Sequence, residues 1–195
     1  MSDAFEQYLR MQIEVPPAEW AFLASQLGKK ILAKNELWLP AGQVGRHLAF
    51  LETGVLRSFL RTDKGEINNA FFLAGSMAGA FTSFLTQAPS AWAVQALAPT
   101  RLVTISYDLF QTLYARHPCW LRWGHQVLEA QFLHKCRRET AFMRASAAEH
   151  YQALRQLYPT LEQQVAQYHI ASYLGITPET LSRIRAAAPV PSLLS

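Results

Sequence analysis

IASYLGITPETLSRIR, residues 170–185, is the stretch on which the fold turns. His169 to Leu174 fits one short helix. Gly175 stands where the chain must reverse, a natural left-handed position. Thr177 can cap a second helix, Pro178 suits its first position and Glu179 suits its positive end. That helix is predicted from Pro178 to about Ala187. Ile170, Ala171 and Leu174 can pack across the turn against Leu181 and Ile184. The opposite face offers Glu179, Thr180, Ser182, Arg183 and Arg185. This is the grammar of a helix-turn-helix, whose second helix enters the major groove of DNA. Arg183 is the candidate for a bidentate contact to guanine. Glu179 can accept from cytosine or brace an arginine. Thr177, Thr180 and Arg185 can hold phosphates or base edges. An ordinary helical hairpin with solvated charges has the same spacing.

Upstream of this pair, residues 148–158 read as a helix stopped at Pro159, and 160–166 as a short helical turn. Pro118 opens a long helix to about Ala147. Leu121, His125, Leu128, Phe132, Cys136 and Met143 recur along it at three- and four-residue steps, and Trp120, Trp123, Val127 and Leu133 widen its apolar surface. One stripe can lie on the rest of the chain and the other on a second copy, so 117–147 is expected to pair two subunits. A single helix lying on its own domain is the plainer alternative. Ser106 can cap a helix over Tyr107–Ala115. Before it, ELWLP, HLAFLETG, VLRSFLRTDKG, EINNAFFLAG, AWAVQALAP and RLVTIS are short strand-like runs broken by Gly and Asp turns. They predict an antiparallel barrel or jelly roll filling about 35–106. Residues 3–12 and 17–33 read as helices on either side of Pro16-Pro17. The expected class is mixed α+β. A β-roll domain with N-terminal helices occupies 1–116, a dimerisation helix 117–147, and a small all-helical helix-turn-helix domain 148–195.

Composition narrows the function without choosing it. The 195 residues are half apolar, enough for a sizeable core. Eighteen basic against 14 acidic residues give a net charge of +4, which permits a nucleic-acid partner but does not demand one. Only two cysteines occur, and MSDAFEQYLR lacks a signal pattern, so the cytoplasm is the expected location. No run reaches the roughly 18–20 apolar residues of a membrane span. Cys119 and Cys136, if one helix carries both, stand about 25 Å apart and cannot join within a subunit. The six histidines show no metal-ligand spacing, so neither metal nor cofactor is expected.

ASYLGITPETLSRIR resembles the DNA-reading motif of the cyclic-AMP receptor/fumarate-nitrate regulator (Crp/Fnr) transcription factors. HLAFLETGVLRSFLRTDKGEINNAFFLAGSMAGAF resembles the β-roll of their cyclic-nucleotide-binding-like domain, and TRLVTISYDLFQTLY its last strand and following helix. The likeness runs in order over about residues 20–186. It implies a homodimeric regulator of transcription, not an enzyme. Its partners would be palindromic double-stranded DNA, a second copy of the chain, RNA polymerase and an effector of unknown identity.

The family's nucleotide-binding members carry a Gly-Glu pair for the ribose and, further on, an Arg-Ser or Arg-Thr pair for the cyclic phosphate. Gly79-Ala80 and Ser90-Ala91 stand at those places here. The usual cyclic-AMP mode is therefore expected to be lost. Arg57, Arg61 and Arg101 are charges that the sequence does not place in the pocket. Phe71, Phe72, Phe81, Phe84 and Trp92 can wall such a pocket but read first as core. An iron–sulfur sensor needs cysteines that are absent before Cys119. Pro178 replaces an arginine of the best-known members, so the operator should differ from theirs, and the short stretch after Arg185 predicts a missing or minimal wing. Lys135, Arg137, Arg138 and Arg144 are expected on a solvated face, with His150 and Arg155 as candidates to reach phosphate. Two rivals remain. A β-roll enzyme would need a cluster of His and carboxylates, and only His47 lies among the strands. A ligand-binding or protein-interaction module would keep the roll and leave DNA alone.

Overall fold

The computed structural model describes residues 3–63 and 65–187. Two N-terminal helices, α1 (Asp3–Gln12) and α2 (Pro17–Gln26), lead into the strands. The sequence predicts helix on to residue 33, but the chain turns extended at Leu27 and Gly28–Leu32 forms strand β1. Close approach requires the glycine: a Cβ at Gly28 would stand 2.3 Å from Thr104 Oγ1 on the neighbouring strand.

The roll continues with β2 (Leu37–Leu39), β3 (His47–Thr53), β4 (Val55–Thr62), β5 (Gly65–Leu73) and β6 (Met77–Ala78). After a short helix α3 (Phe81–Thr86), which sequence reasoning missed, come β7 (Ala93–Ala96) and β8 (Thr100–Ser106). Two antiparallel four-stranded sheets result, ordered β1-β8-β3-β6 and β2-β7-β4-β5. Leu32, Ala49, Leu51, Leu56, Phe72, Val94 and Leu102 fill the space between them.

Each sheet is also covered on its outer side, which explains the near-continuous apolar runs. From β3, Ala49 and Leu51 point into the roll, whereas Leu48 and Phe50 join an outer core. That core is completed by α1, α2, α4 (Tyr107–Arg116) and the start of α5 (Pro118–Arg144). Ser106 caps α4 as expected, its hydroxyl accepting from Leu109 N. Trp120, Trp123 and Val127 fix α5 to this layer. On the other sheet, Val55 and Phe71 face a helical unit of α6 (Ala147–Leu157), α7 (Leu161–Gln164), α8 (Gln167–Leu174) and α9 (Pro178–Ala187).

The second stripe of α5 is left uncovered. Leu121, Phe132 and Met143 are 51%, 66% and 76% exposed, while Trp120 and Trp123 on the other side are fully buried. Residues 188–195, where a wing would begin, lie outside the described residues.

Candidate nucleic-acid interface

The sequence of α8 and α9 fixes their reversal. Gly175 adopts φ 70° and ψ 27°, the left-handed region that costs an L side chain steric strain. The Ile176 amide donates to Ala171 O (3.0 Å) and the Gly175 amide to Ser172 O (3.2 Å), the pair of bonds that closes a Schellman cap. Thr177 caps α9, its hydroxyl accepting from Thr180 N at 3.2 Å. Ile170, Ala171 and Leu174 pack with Leu181 and Ile184, as the spacing predicts.

The structure brings the polar residues onto one outward side of α9. Thr177, Glu179, Ser182 and Arg183 are exposed and Thr180 half-buried. Arg183 Nη2 donates to Thr180 Oγ1 (3.2 Å), which holds the guanidinium along the helix face. The Glu179 carboxyl is held below its ordinary range by its own backbone amide at the helix start, then by the Thr177 hydroxyl. Arg185 is engaged elsewhere: its Nε lies 3.2 Å from Glu162 Oε1, the oxygen that also accepts from Tyr151. Arg155 is likewise drawn to Glu162, at 3.5 Å. Both arginines therefore brace the helical unit.

This unit is docked on the roll through buried polar contacts that sequence reasoning did not find. Arg57, Asn68 and His169 are all nearly inaccessible. Arg57 donates to Asn68 Oδ1 (3.1 Å), to Gln95 Oε1 (2.9 Å) and to Glu66. It also lies 3.1 Å from His169 Nδ1. A guanidinium has no acceptor, so Nδ1 must accept and the imidazole carries its proton on Nε2. Burial, then Arg57, pushes His169 down to about 4, with Glu66 pulling weakly the other way. For Glu66 burial raises the carboxyl, but Arg57 and Arg61 overcome it and hold it low. Asn68 Nδ2 donates to His169 O (2.9 Å), and Ser172 Oγ accepts from Asn68 N while donating to Glu66 O.

A bulge makes this geometry. Pairing of β4 with β5 shifts between Ser58 and Phe59, leaving Asn69 as the extra residue. Asn68 can then face the helical unit while Asn69 meets Arg138 of α5 (3.2 Å). Arg138 also donates to Asn68 O and Tyr173 O and lies 4.7 Å over the Tyr173 ring. It is a strut between roll and helical unit, which corrects its placement on a solvated face. The available signal was Asn68-Asn69 itself, a pair that strands disfavour.

The roll encloses a cavity of about 420 Å3. Gly79, Ala80 and Ser90 line it, while Ala91 is exposed and is not among its lining residues. The Ser90 hydroxyl is used by the chain, donating to Trp92 O (2.8 Å) and accepting from Trp92 N (3.1 Å). The aromatic residues divide. Phe71 and Phe84 are core, but Phe72, Phe81 and Trp92 do wall the cavity. Small side chains at Ser58, Ala70 and Ala80 leave it open. Of the three arginines weighed as outside sources of charge, none lines it. Arg57 faces the helical unit, Arg61 meets Glu66 and Arg101 lies near Glu52. The charged groups come instead from α5, as Lys135, Arg138 and Glu139.

Residues 29–117 match the sequence profile of the cyclic nucleotide-binding domain, so the roll belongs to that domain family. No curated protein matches the chain by sequence. Among solved structures, FixK2 from Bradyrhizobium japonicum superposes with a TM-score of 0.70 over 83% of each chain, at 19% identity. The chain has the Crp/Fnr fold. A putative transcriptional regulator of the Crp/Fnr family from Eubacterium rectale gives a TM-score of 0.66 at 16% identity, covering 89% of this chain and 83% of that one. The Thermus thermophilus catabolite activator protein gives 0.55 at 22% identity, over 89% of this chain and 83% of its own. At such identities the likeness is one of fold. Among the described residues of this Crp/Fnr-fold chain, no helix is long and apolar enough to cross a membrane, and no cluster of His, Cys, Asp and Glu has the arrangement of a metal site.

Proposed function

We propose that this chain is a sequence-specific, double-stranded-DNA-binding regulator of transcription, acting in the cytoplasm as a homodimer and not as an enzyme. The observation that carries the reading is α9: a capped helix fixed from behind by Leu181 and presenting Glu179, Ser182 and Arg183 outward. Fold and profile match support it, as does the description of the Eubacterium rectale neighbour. Arg183 and Glu179 are the base readers in this proposal, and Thr177 and Thr180 hold backbone. Arg185, tied to Glu162, sets the pitch of α9 and adds positive field. The exposed stripe Leu121, Phe132 and Met143 forms the subunit contact, so that two copies of α9 meet successive major grooves. RNA polymerase would be met by other surfaces of the DNA-bound dimer.

The roll does not use cyclic AMP in the usual way. Ala80 cannot accept a ribose hydroxyl, and the Ser90 hydroxyl already closes its own turn. An effector of the roll cavity would find its charge partners on Lys135, Arg138 and Glu139.

The test is titration of labelled duplex DNA across a salt series. The reading expects log affinity to fall linearly with log salt, with a slope of several ions. Absence of duplex binding at low salt, with the dimer verified, would leave a ligand-binding or protein-interaction module instead.

A further inference from the structure

A second cavity, of about 410 Å3, lies outside the roll, between α5, α6 and α8. Its size is that of a small-molecule site. Leu154, Leu157 and Leu174, with Ala153, give α6 and α8 a mainly aliphatic side, on which His150 also stands. His134, Arg137 and Arg138, with Ala141, give α5 a basic side, and no Asp or Glu is among the described lining residues. Arg138 is fixed by Asn69, Asn68 O and Tyr173 O, so its charge sits at a set place in the wall. Arg137 is exposed at the rim. His134 Nε2 is buried with no hydrogen-bond partner among the described residues. Burial first, then Arg138 and Arg137, pushes that imidazole below its ordinary range. The cavity does not face the exposed stripe of α5. Ala141 lies nine residues beyond Phe132, about half a turn around the helix at 3.6 residues per turn, so pairing through the stripe leaves the cavity open.

From the juxtaposition of this basic side and this aliphatic side, we propose that the cavity binds an amphipathic carboxylate. Arg137 and His134 take the head group, and an aliphatic body lies against Leu154, Leu157 and Leu174. A charged head needs cations and donors, and a body of methylenes gains by leaving water. A bound molecule would touch α5, α6 and α8 together and pin the helical unit against the long helix. The proposal goes beyond DNA reading and does not depend on it.

Calorimetric titration of the full chain with octanoate, without DNA, tests it. One octanoate per chain is expected, with hexanoate roughly tenfold weaker for its two missing methylenes and 1-octanol at least tenfold weaker for its missing charge. His134 and Arg138 line both cavities, but Arg137 lines only this one and Lys135 only the roll cavity. Arg137→Glu, at an exposed position, should lose at least tenfold in affinity with an unchanged melting temperature, whereas Lys135→Glu should bind as the parent does. Leu157→Ser, also exposed, should weaken octanoate severalfold through its body. No binding of octanoate, equal binding of 1-octanol, or loss in Lys135→Glu with retention in Arg137→Glu would each overturn the assignment.

Discussion

Arg57 is a cation without water around it, and its partners set the cost of removing it. Asn68, Glu66, Gln95 and His169 all meet the one guanidinium. Arg57→Ala leaves the Glu66 carboxylate with the exposed Arg61 alone and leaves Asn68 and His169 short of a partner. It should lower unfolding stability by about 3 kcal/mol, toward the lower end for a broken buried pair because Glu66 is partly exposed, as chemical denaturation would read. Arg183 is the opposite case, exposed and with only Thr180 beside it. Arg183→Ala should leave stability unchanged and relax discrimination at one base pair per half-site by roughly 1–3 kcal/mol. Equal weakening on operator and random DNA would show that it contacts phosphate only. Arg183 was legible in the sequence because its helix could be phased from Gly175 and Thr177. Arg57 and His169 were not, because they are 112 residues apart and nothing local marks their meeting.

Helix α5 carries two faces with different fates. Trp120, Trp123 and Val127 are buried in the outer core, and Leu121, Phe132 and Met143 stand in solvent. Phe132→Asp should leave the single chain folded and shift the sedimentation of the protein from dimer to monomer; an unchanged dimer would mean that another surface pairs the subunits. Helix positions and caps along this half of the chain were legible, since Ser106, Pro118, Gly175 and Thr177 act within a turn of where they stand. The boundary at Leu27 was not. Phe22, Leu23, Leu27, Ile31 and Leu32 keep helical spacing, and only pairing of Gly28–Leu32 with β8, far along the chain, makes a strand of the last five residues. The charge of the roll cavity was hidden for a related reason. Its charges come from α5 and not from the strands that form its walls.

The molecule as a whole is a roll with a helical layer on one side and a docked helical unit on the other. Docking depends on a neutral His169. The released unit takes up a proton on this residue below about 6.5, whereas the docked unit resists until about 4. Docking is therefore fully present above 6.5 and weakens as pH falls through that window. Burial first, then Arg57, disfavours the protonated ring, and Glu66 only partly relieves it. Hydrogen exchange of the α8 amides, corrected for intrinsic rates, should rise between pH 7 and pH 5, and His169→Gln should flatten that rise. The proposed function rests on the exposed face of α9. Selection of bound sequences from a random duplex library by this chain is the decisive measurement. An enriched inverted repeat is expected, with half-site centres about 10–10.5 base pairs apart or a multiple of that spacing. A bound pool with no enriched sequence, or with no two-fold symmetry, would refute a paired, base-reading α9.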